Sequence, residues 1–290
     1  MKTQYSLRIA KLGIQIDSPA PLYLPTVFQP FVTEECLETP DITIEFFPMS
    51  AVPVPDETNA DKNIYFSHGR LVQRYSWKDG RSIVRIEPRD LTSPYMLGIP
   101  QEFLAEFCAN GNWLASMAME RMLLPHGRMI LHASAVIWRG KAYLFVAPSG
   151  GGKSTQAALW ERTGAEILNG DKVILCKNND GWLACGSPIA GSSKIYKNQC
   201  VPVEAIMLVQ KSPENRLISI SQREGFLSLY CNAVKSNWDQ AFNCRLLDIV
   251  EAIATEVPVY RLMCTPDLRA VECAQRNLKG EKYEKEIFTS

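Results

Sequence analysis

The stretch LFVAPSGGGKSTQAALWERTG, residues 144–164, constrains the fold of this chain more than any other. An apolar run reaches Pro148-Ser149, three glycines follow, and Lys153, Ser154 and Thr155 open a segment of helix formers that stops at Gly164. The run predicts a strand, the glycines a tight turn, and Gly164 the left-handed position past a helix C-terminus. Glycines tolerate positive φ and leave backbone N–H groups uncovered, so several can point at one anion. The helix start adds its own unsatisfied N–H groups and the positive end of its dipole, and Lys153 adds a full charge. Ser149, Gly150, Gly151, Gly152, Lys153, Ser154 and Thr155 are therefore the expected cradle for a polyphosphate, with the Ser154 hydroxyl a candidate ligand for a Mg²⁺ bridging phosphate oxygens. The strict form of this eight-residue pattern opens on glycine; here the position is Ala147, the smallest substitution.

The surroundings read as α/β. MILHASAVIW and KAYLFVA are two adjacent strands, AEILN and KVILC are strands separated by Asn169-Gly170-Asp171, and VEAIMLV and VPVYRLM alternate with helical segments near 221–236, 243–256 and 267–278. Residues 1 to about 100 instead show short period-2 runs broken by proline and polar clusters, which predicts a β-rich first domain with a hairpin turn at Lys78-Asp79-Gly80. A helix over residues 101–127, with a Trp113, Met117, Met119 and Met122 stripe that reads as core packing, leads to a boundary near residue 125: 1–125 and 126–290. The last ten residues read as a loosely held tail.

Lys plus Arg equals Asp plus Glu at 31 each, so no overall field gathers nucleic acid or an anionic membrane, and any anion must be caught locally. The N-terminus lacks the apolar core of a signal peptide and no eighteen apolar residues run together, which points to a cytoplasmic protein. Nine scattered cysteines without a Cys-x-x-Cys pair read as reduced core residues.

Three further features can face the phosphates. Asp171 lies eighteen positions after Lys153, at the end of the strand following the glycine-loop helix, where a carboxylate can bind Mg²⁺ or take a proton from an attacking hydroxyl; the alternative is an ordinary hairpin turn. His132, on the preceding strand, can contact a γ-phosphate or acceptor, or be a satisfied core histidine; His126, in a Pro-His-Gly turn, reads as structural. Ser192, Ser193 and Lys194, in GSPIAGSSKIYKN, form a compact donor set on a loop that can close over phosphates or bind an anionic acceptor group, the alternative being a solvated loop.

Taken together, LHASAV, APSGGGKSTQAALW and GAEILNGDKVIL resemble the HPr kinase/phosphorylase-like P-loop kinases, whose core fold is related to the ATP-dependent phosphoenolpyruvate carboxykinases, over residues 129–200 and more weakly to about 275. The resemblance implies a P-loop kinase-like C-terminal domain using ATP and Mg²⁺. Lys153 and Ser154 would bind triphosphate and metal, Asp171 would be the metal or catalytic carboxylate, and His132 would lie beside the transferred group. It further implies a hydroxyl-bearing acceptor (peptide, protein serine or small metabolite), with homo-oligomers common among such relatives. The HPr kinases carry two aspartates where this chain has Gly170-Asp171, and the missing one is the acceptor-activating base. Its absence leaves a second expectation open, a nucleotide-binding regulatory or scaffold protein with little or no phosphotransfer. A carboxykinase ranks third, for want of a fitting cluster of arginines and metal ligands.

Overall fold

The computed structural model describes residues 3–35, 37–57, 61, 63–111, 113–189, 191 and 194–287. The fold is mixed α/β with two sheets, and the chain divides into two units, Met1–Met122 and Leu123–Ser290. Among the described residues no helix is long and apolar enough to cross a membrane.

The first unit carries a seven-stranded sheet: β1 (Thr3–Ile9), β2 (Leu12–Ser18), β3 (Ile42–Met49), β4 (Ile64–Ser67), β5 (Arg70–Ser76), β6 (Ser82–Ile86) and β7 (Tyr95–Pro100), in the order β1-β2-β3-β7-β6-β5-β4. The period-2 runs become strands because alternate side chains are buried, as Leu7 and Ile9 or Ile14 and Ile16 are. The helix expected over 101–127 is instead three short ones, α1 (Leu104–Ala109), α2 (Trp113–Ser116) and α3 (Met119–Leu123). Left-handed backbone at Gly111 and Ala118 breaks the run. The stripe still packs inward: Trp113, Met117 and Met122 are buried, with Trp113 against Phe28 and Phe46.

The second unit holds β8 (Arg128–Trp138), β9 (Lys141–Val146), α4 (Lys153–Glu161), β10 (Glu166–Asn169), β11 (Lys172–Asn178), β12 (Gly181–Cys185), β13 (Cys200–Lys211), β14 (Arg216–Ser219), α5 (Gln222–Asn232), α6 (Gln240–Glu256), β15 (Val259–Cys264) and α7 (Leu268–Ile287). β9, β13 and β15 run parallel side by side, and β8 joins β9 from the antiparallel direction. Helices cover both faces. Leu144 and Val146 of β9 belong to the core that includes α5 and α6, whereas Tyr143 and Phe145 belong to the one with α4 and α7. That double burial is why the strand reads as continuously apolar. α7 extends through Ile287, where a loose tail was expected.

One pairing removes the hairpin alternative at Asn169-Gly170-Asp171. β10 and β11 do not form a hairpin about Asn169-Gly170-Asp171; both pair antiparallel with β8, Asn169 facing Ala135 and Lys172 facing His132. Three steps on one side match three on the other, so the two are one strand interrupted by a local kink. A partner forty residues away in sequence fixed that direction, which turn propensity alone misjudges.

Candidate functional site

The parallel strands β9, β13 and β15 end at one edge, and the glycine loop leaves β9 there. Gly152 caps α4 in the left-handed region at φ 105, a conformation that disfavours any side chain. Gly151 is required for space: a Cβ on it would sit 2.6 Å from the Ala147 Cβ and 2.9 Å from the Pro148 carbonyl oxygen. Ala147 and Gly151 are back to back and admit one methyl between them, so alanine at the start of the pattern is accommodated only because residue 151 has none.

Lys153 is buried, 7% exposed, and its Nζ donates to the carbonyl oxygens of Ala147 at 2.7 Å and Pro148 at 3.3 Å. An ammonium has three donors, so one is left over for an anion. Burial lowers its pKa below the ordinary lysine value, opposed by the charge of Asp171. Ser154 and Thr155 are exposed on the first turn of α4.

Asp171 lies on the other side of β8 at the height where β9 gives way to the loop, because Val146 pairs with Ala133 and Lys172 with the adjacent His132. His132 Nε2 is 3.1 Å from Asp171 Oδ1. The structure thus brings two of the sequence candidates into contact. Neither carboxylate nor imidazole is deeply buried, at 27% and 37% side-chain exposure, so both remain open to a ligand. The Asp171 turn is held from behind by Asn169, whose Oδ1 accepts the N–H groups of Asp171 and Lys172, both at 2.9 Å, and whose Nδ2 donates to the Ser187 carbonyl at 2.9 Å. Ser134 Oγ donates to the Gly170 carbonyl at 2.8 Å. Gly170 is buried and fully engaged through its backbone, its N–H reaching the Ile195 carbonyl. Lys194 is exposed, with positive φ, and Ser192 and Ser193 lie outside the described residues.

Beside the loop opens a pocket of about 610 Å³, lined by Gly151, Gly152, Thr155, Gln156, Val209, Lys211, Ser212, Pro213, Cys264, Thr265 and Pro266. Gln156 Nε2 donates to Cys264 Sγ at 3.2 Å, fastening α4 to the end of β15. Asn215 and Thr265 bond each other across the two connections that form the far wall. A smaller pocket of about 400 Å³ lies at the opposite sheet edge, where β15 begins, away from all of these groups.

Residues 112–269, more than half of the chain, match the family model described as SynChlorMet cassette protein ScmC. The chain belongs to the ScmC family. The matched region of this ScmC-family chain contains the glycine loop, His132, Asp171 and every residue lining the larger pocket. No curated protein matches it in sequence. Among solved structures, the Hpr(Ser) kinase/phosphatase from Coxiella burnetii is similar at a TM-score of 0.32 and 14% identity, over 55% of this chain and 97% of that one.

Sequence reasoning missed the pocket and the support behind Asp171. Pro213 and Pro266 announce turns after strands but nothing about a ligand, and Gln156 looks like any helix residue. Asn169 was visible as a turn former, and its capacity to accept two following N–H groups was the available signal. For Mg²⁺, no group of three His, Cys, Asp or Glu residues gathers among the described residues. A Ser154 hydroxyl and the Asp171 carboxylate nonetheless suit an ion that keeps waters and shares phosphate oxygens rather than occupying a protein cage. When bound, Mg²⁺ would neutralise charge on the phosphates.

Proposed function

We propose that this protein is an ATP-dependent kinase of the HPr kinase/phosphorylase-like kind, transferring the γ-phosphoryl group to a hydroxyl of a peptide, a protein serine or a small metabolite. The observation that carries the reading is the glycine loop between β9 and α4, with the Lys153 ammonium at its base and the His132–Asp171 pair at the same height across β8.

In this reading the loop amides and Lys153 bind and orient the phosphates, and the neighbouring pocket of about 610 Å³ has room for the base and ribose. Ser154 and Asp171 would hold Mg²⁺. The acceptor hydroxyl needs somewhere to put its proton. His132 Nε2 lies 3.1 Å from Asp171 Oδ1, so His132 can take that proton while the carboxylate steadies the imidazolium that forms. His132 thereby replaces the aspartate that Gly170 lacks, and a loose phosphoryl-transfer transition state asks little more of a base. Lys194, exposed on the β12–β13 connection, would meet an anionic group of the acceptor.

The test is transfer of label from [γ-³²P]ATP to a peptide pool and to a metabolite extract, by wild type and by Lys153→Ala. Product formed by wild type alone supports the reading; equal labelling by both sinks it. One observation favours a second reading, a nucleotide-binding regulatory protein: the site has no carboxylate at position 170, where the backbone is buried and tied on both sides. ATP binding with no labelled product in either mixture would decide for it.

A further inference from the structure

We propose that Cys176, Cys185 and Cys200 form a thiol–disulfide exchange centre that sets how firmly the β12–β13 connection is held against Asp171. Cys185 ends β12 and Cys200 begins β13; they face each other in register and are joined as a disulfide, which corrects the expectation that all the cysteines are reduced. A third sulfur, that of Cys176 on β11, lies 3.7 Å from the Cys185 sulfur. Cys176 and Cys185 are buried and Cys200 is partly exposed. A structural staple uses two sulfurs; a third within contact provides an internal exchange partner.

The disulfide joins the two ends of the connection 186–199, and both of its arms grip the turn that presents Asp171. On the first arm, the Ser187 carbonyl accepts from Asn169. On the second, the Ile195 carbonyl accepts from the Gly170 N–H at 3.3 Å, and Tyr196 bridges to Asn169. Between them Gly191 packs so closely that a Cβ would lie 2.8 Å from Asp171 Cβ. Tying the ends together removes much of the freedom the connection would otherwise have. Where thiols are kept reduced, a disulfide serves as a redox element more often than as a staple.

The chemistry balances without a further cofactor. A dithiol reductant attacks the accessible Cys200 sulfur, the bond to Cys185 breaks, and Cys185 leaves as a thiolate. The second thiol of the reductant then closes the reductant's own disulfide and frees Cys200. Two electrons and two protons pass to Cys185 and Cys200. Without reductant, a Cys176 thiolate attacks Cys185, a Cys176–Cys185 bond forms, and Cys200 leaves as a thiolate that takes up the proton Cys176 lost; no electrons are gained or lost overall.

The exchange stands independently of phosphotransfer, and only its consequence at Asp171 rests on that reading. The full-length protein is purified without reductant, acid-quenched, alkylated and mapped by mass spectrometry, and its amide hydrogen exchange is followed before and after dithiothreitol. The expected pattern is a Cys185–Cys200 bond as the major form as isolated, with a minor Cys176–Cys185 isomer that is missing from Cys176→Ser, and a roughly 100-fold loss of protection on reduction, confined to 169–171, 186–189 and 194–199. Cys200→Ser shows the reduced pattern without reductant. The idea is overturned if Cys185 and Cys200 are alkylated in the air-oxidised protein, if protection is unchanged by reduction, or if protection is lost throughout the second unit. MgATP binding in the same samples separates the two ideas: no binding with the expected exchange pattern sinks the functional reading alone.

Discussion

Gly151→Ala is a demanding perturbation of the glycine loop because the structure supplies its obstacle in full. The new methyl would sit 2.6 Å from Ala147 Cβ and 2.9 Å from the Pro148 carbonyl oxygen. Neither obstacle can swing away: one is a methyl fixed to the backbone, the other is backbone itself. The loop must open, and overpacking of this kind costs about 1–3 kcal/mol. If that cost falls on the phosphate cradle, MgATP binding weakens by roughly 5- to 150-fold. Ala147→Gly removes the shorter of the two contacts, so Ala147→Gly/Gly151→Ala should recover part of the loss, the Pro148 contact keeping the rest. Isothermal titration of MgATP against wild type, both single variants and the double, with thermal melts to establish folding, measures the cycle. Wild-type affinity in folded Gly151→Ala, or a double variant no better than the single, would refute the steric reasoning.

Other consequences are equally direct. Lys153→Ala should lower kcat/KM for label transfer by about 3 kcal/mol or more, on the order of 100-fold, through loss of one electrostatic donor. Burial lowers the Lys153 pKa, so nucleotide affinity should fall as pH rises through a value below the ordinary 10.5, and Lys153→Arg should move that fall upward. In the same window the unfolded chain binds the proton more tightly than the folded protein, so the stability of the unliganded protein should rise while its affinity falls. Asn169→Ala strips the shared acceptor from the N–H groups of Asp171 and Lys172 and should destabilise the second unit by about 1–3 kcal/mol, read as a lower Tm.

What the sequence disclosed follows the range of the forces involved. β9, the glycine turn and α4 were legible because period, turn chemistry and the Gly164 stop are all written within twenty residues, and His132 and Asp171 stood out by residue type. At Asn169-Gly170-Asp171 the alternative of a hairpin gives way to a kink because the geometry is dictated by β8, to which both flanking strands pair. The single helix foreseen over 101–127 broke at Gly111, and again where Ala118 takes a left-handed conformation that no propensity scale anticipates. The Cys185–Cys200 pair depends on the register of β12 against β13, and the pocket on two connections fifty residues apart that Asn215 and Thr265 bring together. Apart from Gly111, none of these leaves a local mark.

Titration of MgATP into wild type and Lys153→Ala, each shown to be folded, is the shortest route to the central claim that the backbone amides near 149–154 and one buried ammonium receive a nucleotide's phosphates. Saturable one-to-one binding by wild type, weakened at least tenfold in the variant, is the expected result. Equal affinity for both proteins, or none for either, would contradict it.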